Sequence, residues 1–293
     1  MNPAIQRRAI LCVLGASFGY SCSAVIVRML STDYPTLELM LFRSLVVTAL
    51  TVPMLLRQGG IAALRPRAPW GHVGRLAAGY VGMITAFYGY AHLPLATNTA
   101  LGFCMPLFLT ILSVPLLGEV VGWRRRGAVI AGLVGVLVMV RPWAERSGLP
   151  LFPVGVVLLG VVAWALAMIS IRRMGAAGES NIAIVAWFGI GSTILSLILV
   201  VPFWITPTWA GLFGMLCIGL VTAAAQLLMT EGYRIGETTL VAPFEYGAIL
   251  YATFFGILLW GEYPDLPAFA GIAIIVGAGL YIWRREVVLA GKG

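Results

Sequence analysis

The stretch 241–247, "VAPFEYG", opens an apolar run that continues as "AILYATFFGILLWG" to Gly261. A run of about 20 apolar residues is long enough to cross the hydrocarbon core of a bilayer as a helix. A carboxylate at that depth costs a few kcal/mol, and a proline removes a helical hydrogen bond. We therefore expect Glu245 and Pro243 only where this segment faces a wet cavity or a partner group.

The whole chain has the composition of a membrane protein. Its 293 residues are 60% hydrophobic and only 10% charged, whereas a soluble domain carries about 25% charged residues. So few charges could not cover a globular surface. We predict an all-α polytopic membrane protein with ten transmembrane helices, at 9–27, 36–56, 73–91, 95–117, 127–140, 151–171, 182–201, 208–230, 238–260 and 266–283.

The basic residues fix the predicted orientation. Most of them fall on one side of these spans, whereas the other side receives only Arg28, Arg141 and Arg146, and Arg43 lies inside a span. The positive-inside rule then puts both termini in the cytoplasm, and we expect the protein in a bacterial cytoplasmic (inner) membrane. The formal charge of +8 is explained by this bias, so we expect a lipid bilayer and no nucleic acid as partner. The cytoplasmic set is Arg7, Arg8, Arg57, Arg65, Arg67, Arg75, Arg124, Arg125, Arg126, Arg172, Arg173, Arg234, Arg284, Arg285 and Lys292.

The two halves of the chain resemble each other. The segment 115–140, "PLLGEVVGWRRRGAVIAGLVGVLVMV", parallels 258–283, "LLWGEYPDLPAFAGIAIIVGAGLYIW", when their Gly-Glu pairs are aligned. Similarly, "CSAVIVRML" at 22–30 parallels "AMISIRRMG" at 167–175. We predict two repeats of five helices, 1–145 and 146–293, in one integrated bundle. Because five is odd, the second repeat is inverted, as in many secondary transporters whose substrate site lies where the halves meet.

Several short motifs in this order carry a family resemblance. They are Phe42-Arg43, the segment from Pro106 to Gly118-Glu119, Trp164-Ala165, and Gly261-Glu262. With ten spans in two halves, the chain resembles the drug/metabolite transporter (DMT) superfamily and its EamA-type members. It is most similar to the YddG-type exporters of aromatic amino acids and related metabolites. The resemblance implies alternating access and amino acid export.

The ionisable residues inside the spans are the first candidates for function. Glu245 could bind a substrate amine, carry a proton, be a neutral, hydrogen-bonded structural residue, or pair with Arg43. For Arg43 we favour a structural or ion-pair role, with Glu38 or with a group on another helix, because a guanidinium can bond several acceptors at once. A substrate carboxylate at Arg43 stays open.

Aromatic and amide side chains within the spans complete the predicted site. Tyr and Trp inside a bundle need a partner for their polar atom, and a cavity supplies one. Two prolines and a glycine near these residues are predicted hinges: Pro106, Pro243 and Gly247. The predicted substrate-binding residues are Glu245, Tyr246, Trp164, Tyr80, Phe103, Gln226, Asn98, Tyr20 and Tyr88.

These patterns favour one function class over the others. We expect a secondary transporter that moves amino acids with large or aromatic side chains outward. Nucleoside-like, S-adenosylmethionine-like or drug-like substrates remain alternatives, as do an integral membrane enzyme and a pore or receptor. No P-loop motif occurs in the sequence, so we expect no ATP hydrolysis. The 4 cysteines form no metal-binding pattern, so we expect no metal and no cofactor. Proton coupling and the choice between monomer and homodimer stay open.

Overall fold

The computed structural model describes residues 3–117, 122–143, 149–235 and 242–290. Every regular element in those residues is helical. Short 3-10 turns at Gly60–Leu64, Val201–Phe203 and Ala242–Tyr246 supplement the α-helices. The α-helices are α1 (Pro3–Leu30), α2 (Thr36–Gly59), α3 (Pro69–His92), α4 (Leu95–Gly102), α5 (Met105–Leu117), α6 (Trp123–Val140), α7 (Leu151–Ala176), α8 (Asn181–Val200), α9 (Trp209–Ile235), α10 (Gly247–Trp260) and α11 (Leu266–Ala290).

The chain is a multi-pass membrane protein. Seven spans in the described residues are long and apolar enough to cross a bilayer: α1, α2, α4 with α5, α7, α8, α9 and α11. The apolar parts of α6 and α10 are shorter, and α3 is long but contains Arg75 and several tyrosines and glycines. The count of ten spans and the cytoplasmic termini stay predictions.

The outer faces of the helices carry exposed apolar side chains. Ile198 on α8 is 62% exposed, and Leu250 on α10 is 73% exposed. Water would disfavour so much apolar surface, and large exposed apolar areas mark a surface that meets an apolar environment. These faces are therefore suited to contact lipid.

The fourth predicted span is two helices rather than one. α4 ends at Gly102 and α5 begins at Met105. Pro106 explains the break, because a proline ring inside a helix clashes with the carbonyl four residues earlier, here that of Gly102. The Phe103 N–H is shared between the carbonyl oxygen of Thr99 at 3.3 Å and that of Ala100 at 3.1 Å, so the last turn of α4 tightens. The predicted span over 95–117 therefore consists of two helices with a kink beside Pro106.

The start of the ninth predicted span is only partly described. Residues 236–241 lie outside the described part of the chain, so the predicted start at 238 and Val241 of the opening motif are not described. The chain then forms the 3-10 turn Ala242–Tyr246, and α10 begins only at Gly247. The backbone of Pro243 lies within this turn, where a missing N–H removes no α-helical hydrogen bond.

Helices from the first half of the chain pack mainly on helices from the second half. The most extensive pairs are α1 with α9, α3 with α7, α6 with α11, and α2 with α8, and α4 packs on α10. Glycines permit the closest approaches. A Cβ on Gly271 would lie 2.6 Å from the backbone oxygen of Gly135, so α6 and α11 touch through their backbones. Small residues at helix interfaces are the usual means of close packing in membranes.

Candidate functional site

A cavity of about 690 Å³ lies inside the bundle, between helices of both halves. This volume is within the range of about 300–1,000 Å³ that is typical of small-molecule sites. Its lining is mostly apolar and aromatic, with a few polar groups. The lining residues are Tyr20, Ser21, Ala24, Gly82, Thr85, Ala86, Tyr90, Asn98, Thr99, Gly102, Phe103, Met105, Pro106, Leu109, Val157, Gly160, Val161, Trp164, Met168, Met229, Glu245, Tyr246, Ala248, Gly279, Leu280, Ile282 and Trp283.

The 3-10 turn before α10 brings a carboxylate to the cavity. Glu245 and Tyr246 are the last two residues of this turn, and both line the cavity. Glu245 lies within electrostatic range of the hydroxyls of Tyr20 and Tyr246. Gly247 then starts α10, where a Cβ would lie 3.2 Å from a methyl group of Leu14. The irregular backbone thus occurs where it borders a cavity, as the cost of lipid-exposed irregular backbone requires.

Two aromatic rings stack across the cavity wall. The rings of Phe103 and Tyr246 lie 4.6 Å apart between centroids, with an interplanar angle of 28°. Phe103 is the residue at which the Pro106 kink breaks the fourth span. The Tyr246 hydroxyl fits against Gly279, where a Cβ would clash with the phenol oxygen. The kink, the turn and a glycine together position this stacked pair.

Polar groups of α1 and α4 add hydrogen-bonding capacity. The Tyr20 hydroxyl donates to Oε1 of Gln226 at 3.4 Å. The Asn98 Nδ2 donates to the carbonyl of Ala86 at 3.3 Å. Its Oδ1 is buried without a hydrogen-bond partner in the described residues, although Asn98 lines the cavity. An unsatisfied buried acceptor is costly, so Asn98 is a polar residue of the lining whose hydrogen-bonding capacity is not fully used within the described residues.

Arg43 and Glu38 do not bond each other. Nη1 of Arg43 contacts the sulfur of Met83 at 2.8 Å. Glu38 is fully buried, and its Oε2 accepts a hydrogen bond from the Ile205 N–H at 3.2 Å. Residues five apart on a helix point in directions about 140° apart, because each residue turns the helix by about 100°. The two side chains therefore serve different neighbours.

The other predicted binding residues lie away from the lining. The Tyr80 hydroxyl is buried and shares a hydrogen bond with Ser196 at 2.9 Å. The Tyr88 ring stacks on His92, with 3.9 Å between the ring centroids. Gln226 is not among the lining residues, but its Oε1 accepts a hydrogen bond from the Tyr20 hydroxyl, and Tyr20 does line the cavity. Their roles in substrate binding stay predictions.

Some lining residues escaped the sequence analysis. Trp283 lies near the end of a predicted span, where a tryptophan normally indicates an interfacial anchor. Tyr90 was missed for the same reason, since it lies near the end of α3. Three methionines also line the cavity, Met105, Met168 and Met229. Methionine is flexible and packs in many environments, so its position in a sequence carries little information about a cavity.

A charged cluster lies at the end of the bundle where α1 stops and α4 starts. Nη1 of Arg28 donates to Oε2 of Glu262 at 2.8 Å, and Nη2 donates to Oε1. The same carboxylate accepts the Leu95 N–H at 3.1 Å, at the first residue of α4. The Arg28 guanidinium also lies 4.3 Å from the ring centroid of Trp260. This cluster, hereafter the Arg28–Glu262 cluster, joins α1, α4 and the segment between α10 and α11.

A second cluster joins the halves at the opposite end of α3. Oε2 of Glu179 accepts hydrogen bonds from the Arg67 N–H at 2.8 Å and from the Ala68 N–H at 3.3 Å, and lies 3.2 Å from Nε2 of His72. Burial alone would raise the pKa of Glu179, but these hydrogen bonds outweigh it and hold the pKa below its ordinary value. The charged carboxylate thus fixes the start of α3 to the connection between α7 and α8.

Comparisons with known proteins agree with this architecture. A model of the EamA-like transporter family matches residues 7–141 and again residues 151–284. The pseudopaline exporter of Pseudomonas aeruginosa is 30% identical over 283 residues, which cover 96% of this chain and 98% of that protein. The S-adenosylmethionine uptake transporter of Rickettsia prowazekii is 26% identical over 267 residues, covering 91% of this chain and 89% of that protein. A crystal structure with a TM-score of 0.65 and 18% identity covers 94% of this chain and 97% of its own, and shows a shared fold.

Proposed function

This chain belongs to the EamA-like transporter family, and from that premise we propose that it exports amino acids with large or aromatic side chains by alternating access. The family and the relatives make it a transporter of small molecules and not an enzyme. The expected membership of the drug/metabolite transporters is thereby confirmed. The substrate class, the outward direction and the bacterial inner membrane are the parts that we propose.

The proposed architecture is a pair of inverted repeats, 1–145 and 146–293. One support is that the family model matches the chain twice. A second support comes from helix packing. If the predicted spans are numbered one to ten, the packed pairs are one–eight, three–six, two–seven, four–nine and five–ten. Each span can be replaced by its counterpart in the other half, one by six, two by seven, and so on. This replacement exchanges the first two pairs and leaves the other three unchanged, as a two-fold axis between the halves requires.

The stacked pair of Phe103 and Tyr246 beside the carboxylate of Glu245 is the observation that supports the substrate class. An aromatic side chain fits beside stacked rings, because offset and edge-to-face aromatic contacts contribute about 0.5–1.5 kcal/mol beyond the burial of their area. An ammonium group is attracted to a carboxylate and to aromatic faces. The cavity volume of about 690 Å³ leaves ample room for one such amino acid.

Alternating access requires an end that closes. In the predicted topology the Arg28–Glu262 cluster lies on the outer side, and its contacts between α1, α4 and the segment before α11 support the proposal that it closes the bundle there. The lining residues Leu109, Met168 and Met229 carry the cavity toward the other end. Breaking the cluster while the cytoplasmic cluster at Glu179 holds would expose the cavity outward, with the kink at Pro106 and the turn at Pro243 as hinges.

S-adenosylmethionine-like compounds are the second candidate substrates. They too combine an amino group with an aromatic ring, and a relative at 26% identity is an S-adenosylmethionine uptake transporter. That relative does not fix the direction of transport in this chain, since a facilitator moves its substrate inward or outward, depending on the concentration gradient.

Exchange in proteoliposomes tests the proposal. Purified protein is reconstituted with internal unlabelled phenylalanine, and uptake of labelled phenylalanine, tryptophan, alanine and S-adenosylmethionine is followed with and without an imposed pH gradient. We expect saturable counterflow of the aromatic amino acids and little of alanine. Preference for S-adenosylmethionine supports the second candidate, and the absence of any counterflow of amino acids defeats the first. A response to the pH gradient would identify proton coupling.

A further inference from the structure

Two arginine side chains meet where α2, α3 and α8 pack together. Nη1 of Arg43 on α2 contacts the sulfur of Met83 on α3 at 2.8 Å. The guanidinium of Arg75 packs over Gly79 of α3, where an added Cβ would clash with it. Gly79 and Met83 are four residues apart on the same face of α3, which is about 6 Å along the helix axis. These contacts bring the two guanidinium groups within about one helical turn of each other.

Neither guanidinium is paired with a carboxylate in the part of the chain that the structure describes. Arg75 lies 4.0 Å from the ring centroid of Phe188 on α8, and its Nε is buried with no hydrogen-bond partner. Its side chain extends toward Gly79, away from the near end of α3, whereas basic side chains close to a span end normally extend toward water. Arginine within a membrane span normally pairs with an acid or with carbonyl groups. Two neighbouring cations without such partners repel each other.

Further polar atoms of α2 and α8 are buried without hydrogen-bond partners in the described residues. Oγ of Ser44, the residue after Arg43 on α2, has none, and the same holds on α8 for Oγ of Ser192 and Nε1 of Trp187. Ser44 is 1% exposed and Ser192 is 0% exposed. A hydroxyl can donate a hydrogen bond, whereas an indole N–H and a guanidinium can only donate. Each of these atoms, like Nε of Arg75, can therefore donate to an anion.

From these contacts we propose that the Arg43–Arg75 pair binds a small inorganic anion between α2, α3 and α8. An anion offsets the repulsion between the two guanidinium groups, and charge-assisted hydrogen bonds to it are strong. The unpartnered atoms are buried from solvent, so a compact ion such as chloride suits this place better than a lipid headgroup. Neither arginine lines the cavity. The anion is therefore a bound structural ligand and not the cargo, and this site does not rest on the proposed substrate.

Thermal unfolding of the purified protein tests this site, with chloride as the probe. The much larger anion gluconate is replaced stepwise by chloride at constant ionic strength. We expect Tm to rise with chloride concentration, by about 5–10 °C at a hundredfold excess over Kd, because a ligand that binds only the folded state stabilises it. Equal Tm values in chloride and in gluconate at every concentration overturn the proposal.

Two variants assign the chloride effect to the arginines. Arg75→Gln removes one guanidinium and Arg43→Gln removes the other, and each is expected to raise the Kd for chloride at least about tenfold, the effect of one hydrogen bond to a charged group. Arg124→Gln is the matched control, because this arginine stacks on Trp123 of α6 and should leave the Kd unchanged. A chloride effect that is undiminished in both of the first two variants overturns the proposal, since the anion then binds elsewhere.

Bromide locates the site in the wild-type protein, without any variant. It has the charge of chloride and a similar size, and its anomalous scattering gives its position in crystals of the full chain grown in bromide. We expect a peak between the guanidinium groups of Arg43 and Arg75, beside the ring of Phe188. The absence of a peak there overturns the proposal, even if both glutamine variants fail to fold. A protein that binds bromide there but exchanges no amino acid would defeat the proposed function and leave this inference standing.

Discussion

Substituting Glu262 by glutamine should weaken the closed end of the bundle. The substitution removes the charge of the Glu262 carboxylate, whose oxygens accept two hydrogen bonds from Arg28 and one from the Leu95 N–H. The two side chains of the ion pair are only 16% and 22% exposed, so solvent screens the pair incompletely. Hydrogen bonds to charged groups contribute about 1.5–3 kcal/mol, less than the cost of about 3–5 kcal/mol for breaking a fully buried pair.

This loss has a conformational and a thermal consequence. A change of about 1.5–3 kcal/mol shifts the balance between closed and open states by about 10- to 100-fold. It also lowers Tm by about 3–12 °C, on the scale of about 2–4 °C per kcal/mol. Both quantities are measurable on one preparation of the Glu262→Gln variant, by thermal unfolding in detergent and by accessibility of the cavity.

Cysteine labelling from the outer side measures the opening. Thr99 lines the cavity one turn from Leu95, and Thr99→Cys in a background without the native cysteines reports access through the closed end. We expect Glu262→Gln to label at least about tenfold faster. Arg8→Gln is the control, because Arg8 is 68% exposed in its ion pair with Glu231, and exposed pairs contribute little. Equal labelling rates and equal Tm values for Glu262→Gln and the parent would refute this account of the cluster.

Three further predictions concern packing and pH. In Gly279→Ala the new Cβ would clash with the hydroxyl of Tyr246 and displace it, so substrate affinity should fall several-fold in a binding assay. Gly277→Ala is the control: its Cβ would have nothing within 4 Å, and substrate affinity should stay unchanged. Gly271→Ala should lower stability by about 1–3 kcal/mol, because its Cβ would meet the backbone of α6 at 2.6 Å; Gly277→Ala again serves as the control in thermal unfolding. Because the pKa of Glu179 lies below its ordinary value of 4.5, its contribution to stability is present above that pH and is lost as the pH falls below it. Glu179→Gln should therefore flatten the acid limb of a Tm-against-pH curve, and an unchanged limb would count against the cluster.

The membrane character and the site region could be predicted because their physical causes are local. Few charges and long apolar runs leave only a lipid-exposed helical protein as a solution. A carboxylate and a proline within such a run predict a cavity, and the structure brings Glu245 and Tyr246 to one. Phe103 and Trp164, found by the same reasoning about polar and aromatic groups inside spans, also line it.

The rest depends on packing between distant segments. Tyr80 and Tyr88 satisfy the same sequence criterion as Tyr20, yet one bonds Ser196 and the other stacks on His92. Which face of a helix meets the cavity is decided by its partners, and the pattern within one span does not contain them. Arg28 and Glu262 lie 234 positions apart, so no local signal could predict that they bond each other.

The most direct test of the central claim is counterflow of labelled phenylalanine in proteoliposomes containing Glu245→Gln, Tyr246→Ala or Tyr88→Ala. The first two residues line the cavity and the third lies outside it. If the cavity is the transport site, the two lining variants lose at least about tenfold in apparent affinity, and Tyr88→Ala stays close to wild type. Wild-type affinity in Glu245→Gln and Tyr246→Ala, in correctly folded protein, would contradict the account.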